Sequence, residues 1–398
     1  AEAYTFPPVR WNQDHEKRPR PAPGSIQPGY RMSKLSIGIV GLPTVGKSTL
    51  FQALTAVSVP AENYPFCTLD PNIGVVEVPD PRLRHLAEIV KPPKVVSNVV
   101  EFVDIAGLVA GASKGEGLGN KFLQHIREVD AIAHVVRCFD DPAVVNTGHL
   151  EDPDEDRATI ELELELSDLE IVLRALDKAE RRERSGDRDA AAVAPVLRRL
   201  RDALDAGIPA RRVELDADED RLVRSLGLLT RKPMLYVANI DEDELAAGCP
   251  HAAKLRDVVR EADPEAEVVE VCAHLESELL ALEPRERSEF LEAHGLAESG
   301  LSGLIRTGFK MLGLQTFFTI GENEVRAWTV RVGAKAPEAA GRIHTDFERG
   351  FIRAETIAYD DFVEAGSMKR AKELGQVRLE GKEYVVRDGD LLLFRAAP

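Results

Sequence analysis

The sequence predicts an α/β protein: an open, largely parallel sheet, a helical hairpin inserted into it, and a smaller α+β unit at the C-terminal end. Three observations lead there. Short apolar runs at 35–40, 74–78, 99–103, 131–136, 234–238 and 268–273 alternate with helical stretches such as 48–54, Pro81–Val90 and 121–129, which is the rhythm of strands covered by helices. Between about 150 and 230 that rhythm stops, and leucines recur at helical spacing instead. From about Leu314 onward, strand-like segments crowd around one short helix. A chain of 398 residues has room for two or three domains.

Taken in order, residues 1–31 contain Pro7, Pro8, Pro19, Pro21, Pro23 and Pro28, with little aliphatic content and no hydrophobic core of a secretory signal. They read as a disordered arm, or as an upstream extension before Met32. A nucleotide-binding unit is expected over 32–313. Its runs 74–78 and 99–103 suit either parallel strands or an antiparallel edge pair. Inside this unit, over about 151–230, an acidic block at 151–156 precedes Leu166, Leu169, Leu173 and Leu176, and a second stripe follows at Val196, Leu197, Leu200 and Leu204. Two amphipathic helices back to back make a hairpin, with the first stripe as its dry seam. The alternation from Glu161 to Leu166 alone suits a strand, but its continuation at helical spacing favours helix. In the last unit, 314–398, strands are expected at 316–320, 325–330, 383–386 and 390–394, with Asp388-Gly389 as a hairpin turn and a helix over 337–347.

Composition narrows the function. Lys and Arg number 51 against 68 Asp and Glu, a formal charge of −17, which argues against a protein coated in basic charge for DNA. No run of eighteen apolar residues exists to span a membrane. Cys67, Cys138, Cys249 and Cys272 form no C-x-x-C pair and lie beside apolar stretches, so reduced thiols in a cytoplasmic protein are expected.

The chemistry concentrates at Gly41-Leu42-Pro43-Thr44-Val45-Gly46-Lys47-Ser48, a full G-x-x-x-x-G-K-[ST] match between a predicted strand and a predicted helix. Its glycines let successive N–H groups point at phosphate oxygens, and the helix dipole adds positive potential. Lys47 supplies charge for the β- and γ-phosphates, and Ser48 can ligate Mg²⁺. With Thr49, these residues are the candidate phosphate-binding set. Asp104-Ile105-Ala106-Gly107 follows the apolar run 99–103, where a carboxylate can join the Mg²⁺ shell and Gly107 can offer an N–H to the γ-phosphate. Thr68 is the third candidate metal ligand. The segment 107–119 carries five glycines, which disfavours continuous helix and suits a loop responsive to γ-phosphate.

With Asn63-Tyr64-Pro65-Phe66-Cys67-Thr68, Asp104-Ile105-Ala106-Gly107-Leu108-Val109, the run 115–119 and His134-Val135-Val136-Arg137-Cys138-Phe139, the sequence resembles the YchF subfamily of Obg-like P-loop NTPases from about residue 33 to the end. The resemblance implies a Ras-like nucleotide domain, a helical coiled-coil insertion and a C-terminal TGS domain of β-grasp type. It also implies Mg²⁺ as cofactor and association with the ribosome or ribosomal RNA.

Where guanine-reading GTPases carry N-K-x-D, this chain has Asn239-Ile240-Asp241-Glu242. Ile240 lacks the lysine stem that packs along the base, and Glu242 sets its carboxylate one methylene further out. The N-x-x-E form resembles the variant that hydrolyses ATP in preference to GTP. Asn239, Ile240 and Glu242, with Ala273, His274 and Leu275 after the next strand, are the candidate base-binding residues. Leu108 stands where many GTPases place a water-orienting glutamine, so slow intrinsic turnover is expected and no catalytic residue is assigned. Thr44 occupies a position often held by asparagine in the family, and Asn146 one held by a histidine, with His149 nearby. Lys178, Arg181, Arg182 and Arg184 on the hairpin, and Arg349, Arg353, Lys369, Arg370 and Lys372 near the C-terminus, are basic residues suited to RNA or to water alike. A slow ATP-dependent switch on the ribosome leads. An Obg-type GTPase and an RNA- or ribosome-binding adaptor with structural nucleotide are the alternatives.

Overall fold

The computed structural model describes residues 35–58, 72–105, 118–140, 152–296 and 298–397. The expectations for 1–31, Cys67, Thr68, Gly107, Leu108, Asn146 and His149 lie outside the described residues.

In chain order the first half runs β1 (Ser36–Val40), α1 (Lys47–Ala56), β2 (Ile73–Glu77), α2 (Pro81–Val90), β3 (Lys94–Val96), β4 (Val99–Asp104), α3 (Leu118–Glu128), β5 (Ala131–Arg137), α4 (Pro153–Arg184) and α5 (Arg188–Asp205). There follow α6 (Ala217–Val223), β6 (Met234–Asn239), α7 (Glu244–Ala247), α8 (Pro250–Ala262), β7 (Glu267–Val271), α9 (Ala273–Leu279), α10 (Pro284–Ala293) and α11 (Gly300–Met311). Six of these strands form one sheet in the order β2-β4-β1-β5-β6-β7. All its pairs are parallel except β2–β4, so the antiparallel edge alternative is the one adopted. Every residue of β1, β5 and β6 is buried, as expected of parallel strands covered on both faces. Helices α3, α8 and the first half of α4 cover one face through Phe122, Ile126, Ile160, Leu164 and Leu255. Helices α1 and α11 cover the other through Leu50, Leu54, Leu304 and Phe309.

The insertion is a helical hairpin, and its seam takes up part of the predicted first stripe and all of the second: Leu176 is buried and Leu169 half-buried with Val196, Leu197, Leu200 and Leu204, whereas Leu166 and Leu173 stay outside it. Leu166 is 38% exposed and Leu173 46%, while Ile160, Leu164, Val172 and Leu176 are buried. The buried line runs at steps of four through Asp168, which is fully buried and accepts hydrogen bonds from Leu229 N (2.9 Å), Thr230 N (2.7 Å) and Thr230 Oγ1 (2.7 Å). The first half of this line, Ile160 and Leu164, packs on the first sheet and the second half, Val172 and Leu176, in the hairpin. A charged residue interrupts it, so the leucine stripe also picks out Leu166 and Leu173, which lie off it.

The remaining elements are β8 (Leu314–Ile320), β9 (Glu324–Arg331), α12 (Ala336–Ile343), α13 (Thr345–Arg349), β10 (Phe351–Ile357), α14 (Tyr359–Ala365), α15 (Met368–Glu373), β11 (Arg378–Glu380) and β12 (Leu391–Ala396). Three expectations are corrected here. The run 383–386 forms no strand, only a single bridge from Val385 to Lys335. The helix expected over 337–347 is two helices, because His344 leaves helical geometry at φ −159° and caps the second. Asp388-Gly389 makes no hairpin between neighbours, because β12 pairs with β10 and β8. The second sheet has the order β11-β10-β12-β8-β9-β3. Its last strand is borrowed: β3, from the excursion between β2 and β4, pairs in parallel with β9, and Leu83 and Leu86 of α2 pack with Phe318, Val325 and Phe362.

Candidate functional site

Loops at the carboxyl ends of five parallel strands converge on one cleft, as the topology of an open α/β sheet directs. The turn after β1, the end of β4, the residues following β5, the end of β6 and the start of α9 all meet there. The cleft has a volume of about 1120 Å³ and is lined by Leu42, Pro43, Thr44, Gly46, Lys47, Ser48, Thr49, Phe139, Asp140, Asn239 to Glu244, Cys272, Ala273 and His274. Of the phosphate-binding candidates, Gly41 and Val45 stand behind this lining, Val45 buried in the core.

Gly46 is the cap of α1 at φ +88°, left-handed backbone that side chains resist. A Cβ there would collide with the Asn239 side-chain amide. Thr44 also takes positive φ, +68°, which strains a β-branched residue. Lys47 opens α1 and pairs with the carboxylate of Asp104. That carboxylate is held at the end of β4 by Asp104 N to Asn72 O (2.9 Å) and Ile105 N to Ile39 O (3.2 Å). A lysine ammonium therefore already sits against the acid that sequence assigns to a cation. Ser48, the next residue of α1, carries a hydroxyl and Asp104 a carboxylate, oxygen donors of the chemical kind Mg²⁺ selects. Thr68, the third expected ligand, is not among the described residues.

At the base end, Asn239 is used differently from a free recognition group. Its Nδ2 donates to Val45 O (2.9 Å), and its Oδ1 accepts from Ala273 N (3.0 Å). It brackets the phosphate turn to the start of α9. Ile240 is buried and Glu242 exposed at the cleft. Asp241, the neighbour that competes with Glu242 in sequence, accepts instead from Asp140 N (3.1 Å). Leu275 is corrected: it is 3% exposed and packs into the core. The run 268–273 is also corrected, since β7 ends at Val271 and Ala273 begins α9.

Phe139 is a lining residue that sequence reasoning missed as a contact. Its ring lies under the Arg137 guanidinium at 4.4 Å, and its signal was its place just past a buried strand. Cys272 lines the cleft, but burial pushes its thiol up, which opposes thiolate chemistry. His134 is buried in β5 beside Tyr236 (5.6 Å), and burial, aided by Arg157, lowers its pKa to about 3. It is not a lining residue of the cleft. Cys138 and Cys249 are free and buried, as is Cys272.

The family model of the 50S ribosome-binding GTPases matches residues 36–177, and the C-terminal YchF GTPase model, described as a protein of unknown function, matches 314–397. A Bacillus subtilis protein called ribosome-binding ATPase YchF is 54% identical over 363 residues, 91% of this chain and 99% of its own length. The chain belongs to the YchF family. A Haemophilus influenzae YchF of the same description is 52% identical over 358 residues, covering 90% of this chain and 98% of its own. The solved structure of the Schizosaccharomyces pombe YchF GTPase superposes with a TM-score of 0.82 at 36% identity, covering 93% of this chain and 99% of that one. The YchF architecture is thus a P-loop NTPase domain followed by a TGS-like C-terminal unit. Among the described residues no helix is long and apolar enough to cross a membrane.

Proposed function

We propose that the chain binds ATP in preference to GTP and hydrolyses it slowly to ADP and phosphate, as a Mg²⁺-dependent switch governing association with the ribosome. The observation that carries this reading is the pairing of Asp104 with Lys47, a residue that lines the same cleft as the N-x-x-E segment. Backbone N–H groups at the start of α1, from Gly46 to Thr49, hold the phosphate chain. Lys47 turns from Asp104 to the β- and γ-oxygens. Ser48, Thr68 and Asp104 would hold Mg²⁺, which supplies charge neutralisation on those oxygens. Asn239 keeps the two loops at a fixed separation, while Glu242 presents an acceptor to the base. Water attacks the γ-phosphorus, and the β–γ bridging oxygen leaves with ADP. Leu108 cannot orient that water, which supports a low intrinsic rate. The names of the bacterial relatives support a ribosomal partner.

Single-turnover hydrolysis of radiolabelled ATP, with and without ribosomes, tests the reading. Slow cleavage that ribosomes alter is expected. No cleavage in either condition would favour an adaptor with structural nucleotide.

A further inference from the structure

The excursion between β2 and β4 leaves the first sheet and becomes part of the second. Its two ends are tied where it departs, by Val78 N donating to Asn98 O (2.8 Å). From that knot a polar chain crosses to the C-terminal sheet. Asn98 Nδ2 donates to Thr316 Oγ1 (2.9 Å), both residues buried. Thr316 N donates to Asp388 Oδ1 (2.9 Å), and Arg82 NH1 donates to Asp388 Oδ2 (2.7 Å). Arg82 also donates through Nε and NH2 to Asp80, the cap of α2 (3.0 and 2.9 Å), and lies over the Phe318 ring at 5.4 Å. Burial works against the Arg82 charge, but hydrogen bonds to the two carboxylates overcome it and hold its pKa above the ordinary value. Gly389, at φ +88°, leaves room for this guanidinium: a Cβ there would come within 2.9 Å of Arg82 NH1. The Asp388-Gly389 pair, which joins no hairpin, clasps α2 of the excursion to β8 of the second sheet.

The clasp grips one end of a strand whose other end is in the nucleotide cleft. Strand β4 begins at Val99, next to Asn98, and ends at Asp104; it pairs with β2 over Val99–Val103 and with β1 over Glu101–Asp104. Five steps of strand are about 17 Å, and the two overlapping ladders leave no unpaired residue between its ends. We propose that Asn98 and Thr316 are positioning residues: they set the placement of Asp104 through β4, so the C-terminal sheet is mechanically part of the Mg²⁺–triphosphate site. Whatever binds the C-terminal unit then biases the nucleotide state, and the nucleotide biases the C-terminal unit by the same factor. This rests on Asp104 serving the cation, as proposed above.

The test uses the full chain and two substitutions. Thr316→Val keeps the volume but removes the acceptor of Asn98, and Thr316→Ser restores it. Calorimetric titration of a non-hydrolysable β,γ-imido ATP at graded Mg²⁺ gives the Mg²⁺ concentration for half-maximal binding. The proposal expects that concentration to rise about fivefold or more in Thr316→Val, to return to the wild-type value in Thr316→Ser, and nucleotide binding in EDTA to stay unchanged. A Thr316→Val protein with a lower Tm but an unaltered Mg²⁺ requirement would mark the contact as merely structural and overturn the proposal. Wild-type binding that ignores Mg²⁺ altogether would instead overturn the reading of Asp104, and the proposal with it. Should Thr316→Val fail to fold, amide exchange on the wild type decides. Exchange at 316–318 and in α2 should differ between the ADP and Mg²⁺-imido-ATP states, and identical exchange there would contradict the coupling.

Discussion

Gly46 concentrates two demands on one residue: left-handed backbone and a side-chain amide packed where a Cβ would lie. Gly46→Ala should therefore push Asn239 off its bracket between Val45 and Ala273, and weaken ATP binding about tenfold or more by fluorescence titration, corresponding to ~1.4 kcal/mol. A second prediction concerns Glu165, buried on α4. Burial, helped by Glu161 and opposed by Arg211 and Arg157, raises its pKa to about 7. The folded state thus holds a proton that the unfolded state releases near the ordinary carboxylate value. Its contribution to stability is full below about pH 4.5 and is lost as pH rises through about 7. Glu165→Gln should gain Tm relative to wild type as pH rises across that window, with little difference at its acid end. A constant difference in Tm from pH 5 to 8 would contradict this assignment.

At the scale of the element, helix α4 shows how the seam of a hairpin can hide. Leu164→Ala removes a fully buried side chain and should cost about 2–4 kcal/mol in urea unfolding. Leu166→Ala acts on the exposed stripe and should cost under about 1 kcal/mol. Equal losses would contradict this division of α4 into a packed and an exposed face. The miss at Leu166 and Leu173 has a physical source: Asp168 is buried on the packed side, and hydrophobicity does not register a carboxylate satisfied by backbone N–H groups. The strands of the first sheet were legible because two-sided burial makes them almost continuously apolar. β3 was missed because it is three residues long and half exposed, and its partner β9 lies more than 200 residues away. The run 383–386 misled because its single bridge, from Val385, reaches Lys335 at the cap of α12 rather than a strand, while Tyr384 turns its hydroxyl to Asp390 (2.7 Å).

Across the whole molecule, the phosphate end of the cleft was readable because its chemistry is contiguous: eight residues in sequence form one turn. The base end was readable only in part. It is assembled from the ends of β5, β6 and β7, so no local pattern marks Phe139 and Asp140 as lining residues, and Leu275 enters the core although its neighbours line the cleft. The clasp at Asp388 was not readable at all, since Arg82 and Asp388 are 306 positions apart. These non-local contacts make the C-terminal unit a partner of the nucleotide site rather than an appendage. The central claim is a cleft that takes ATP ahead of GTP with Lys47 as its phosphate anchor. Isothermal titration of the full chain with ATP and with GTP, in Mg²⁺, tests it most directly. The account predicts tighter binding of ATP and loss of both in Lys47→Ala. Tighter binding of GTP, or binding that survives the loss of Lys47 unchanged, would contradict it.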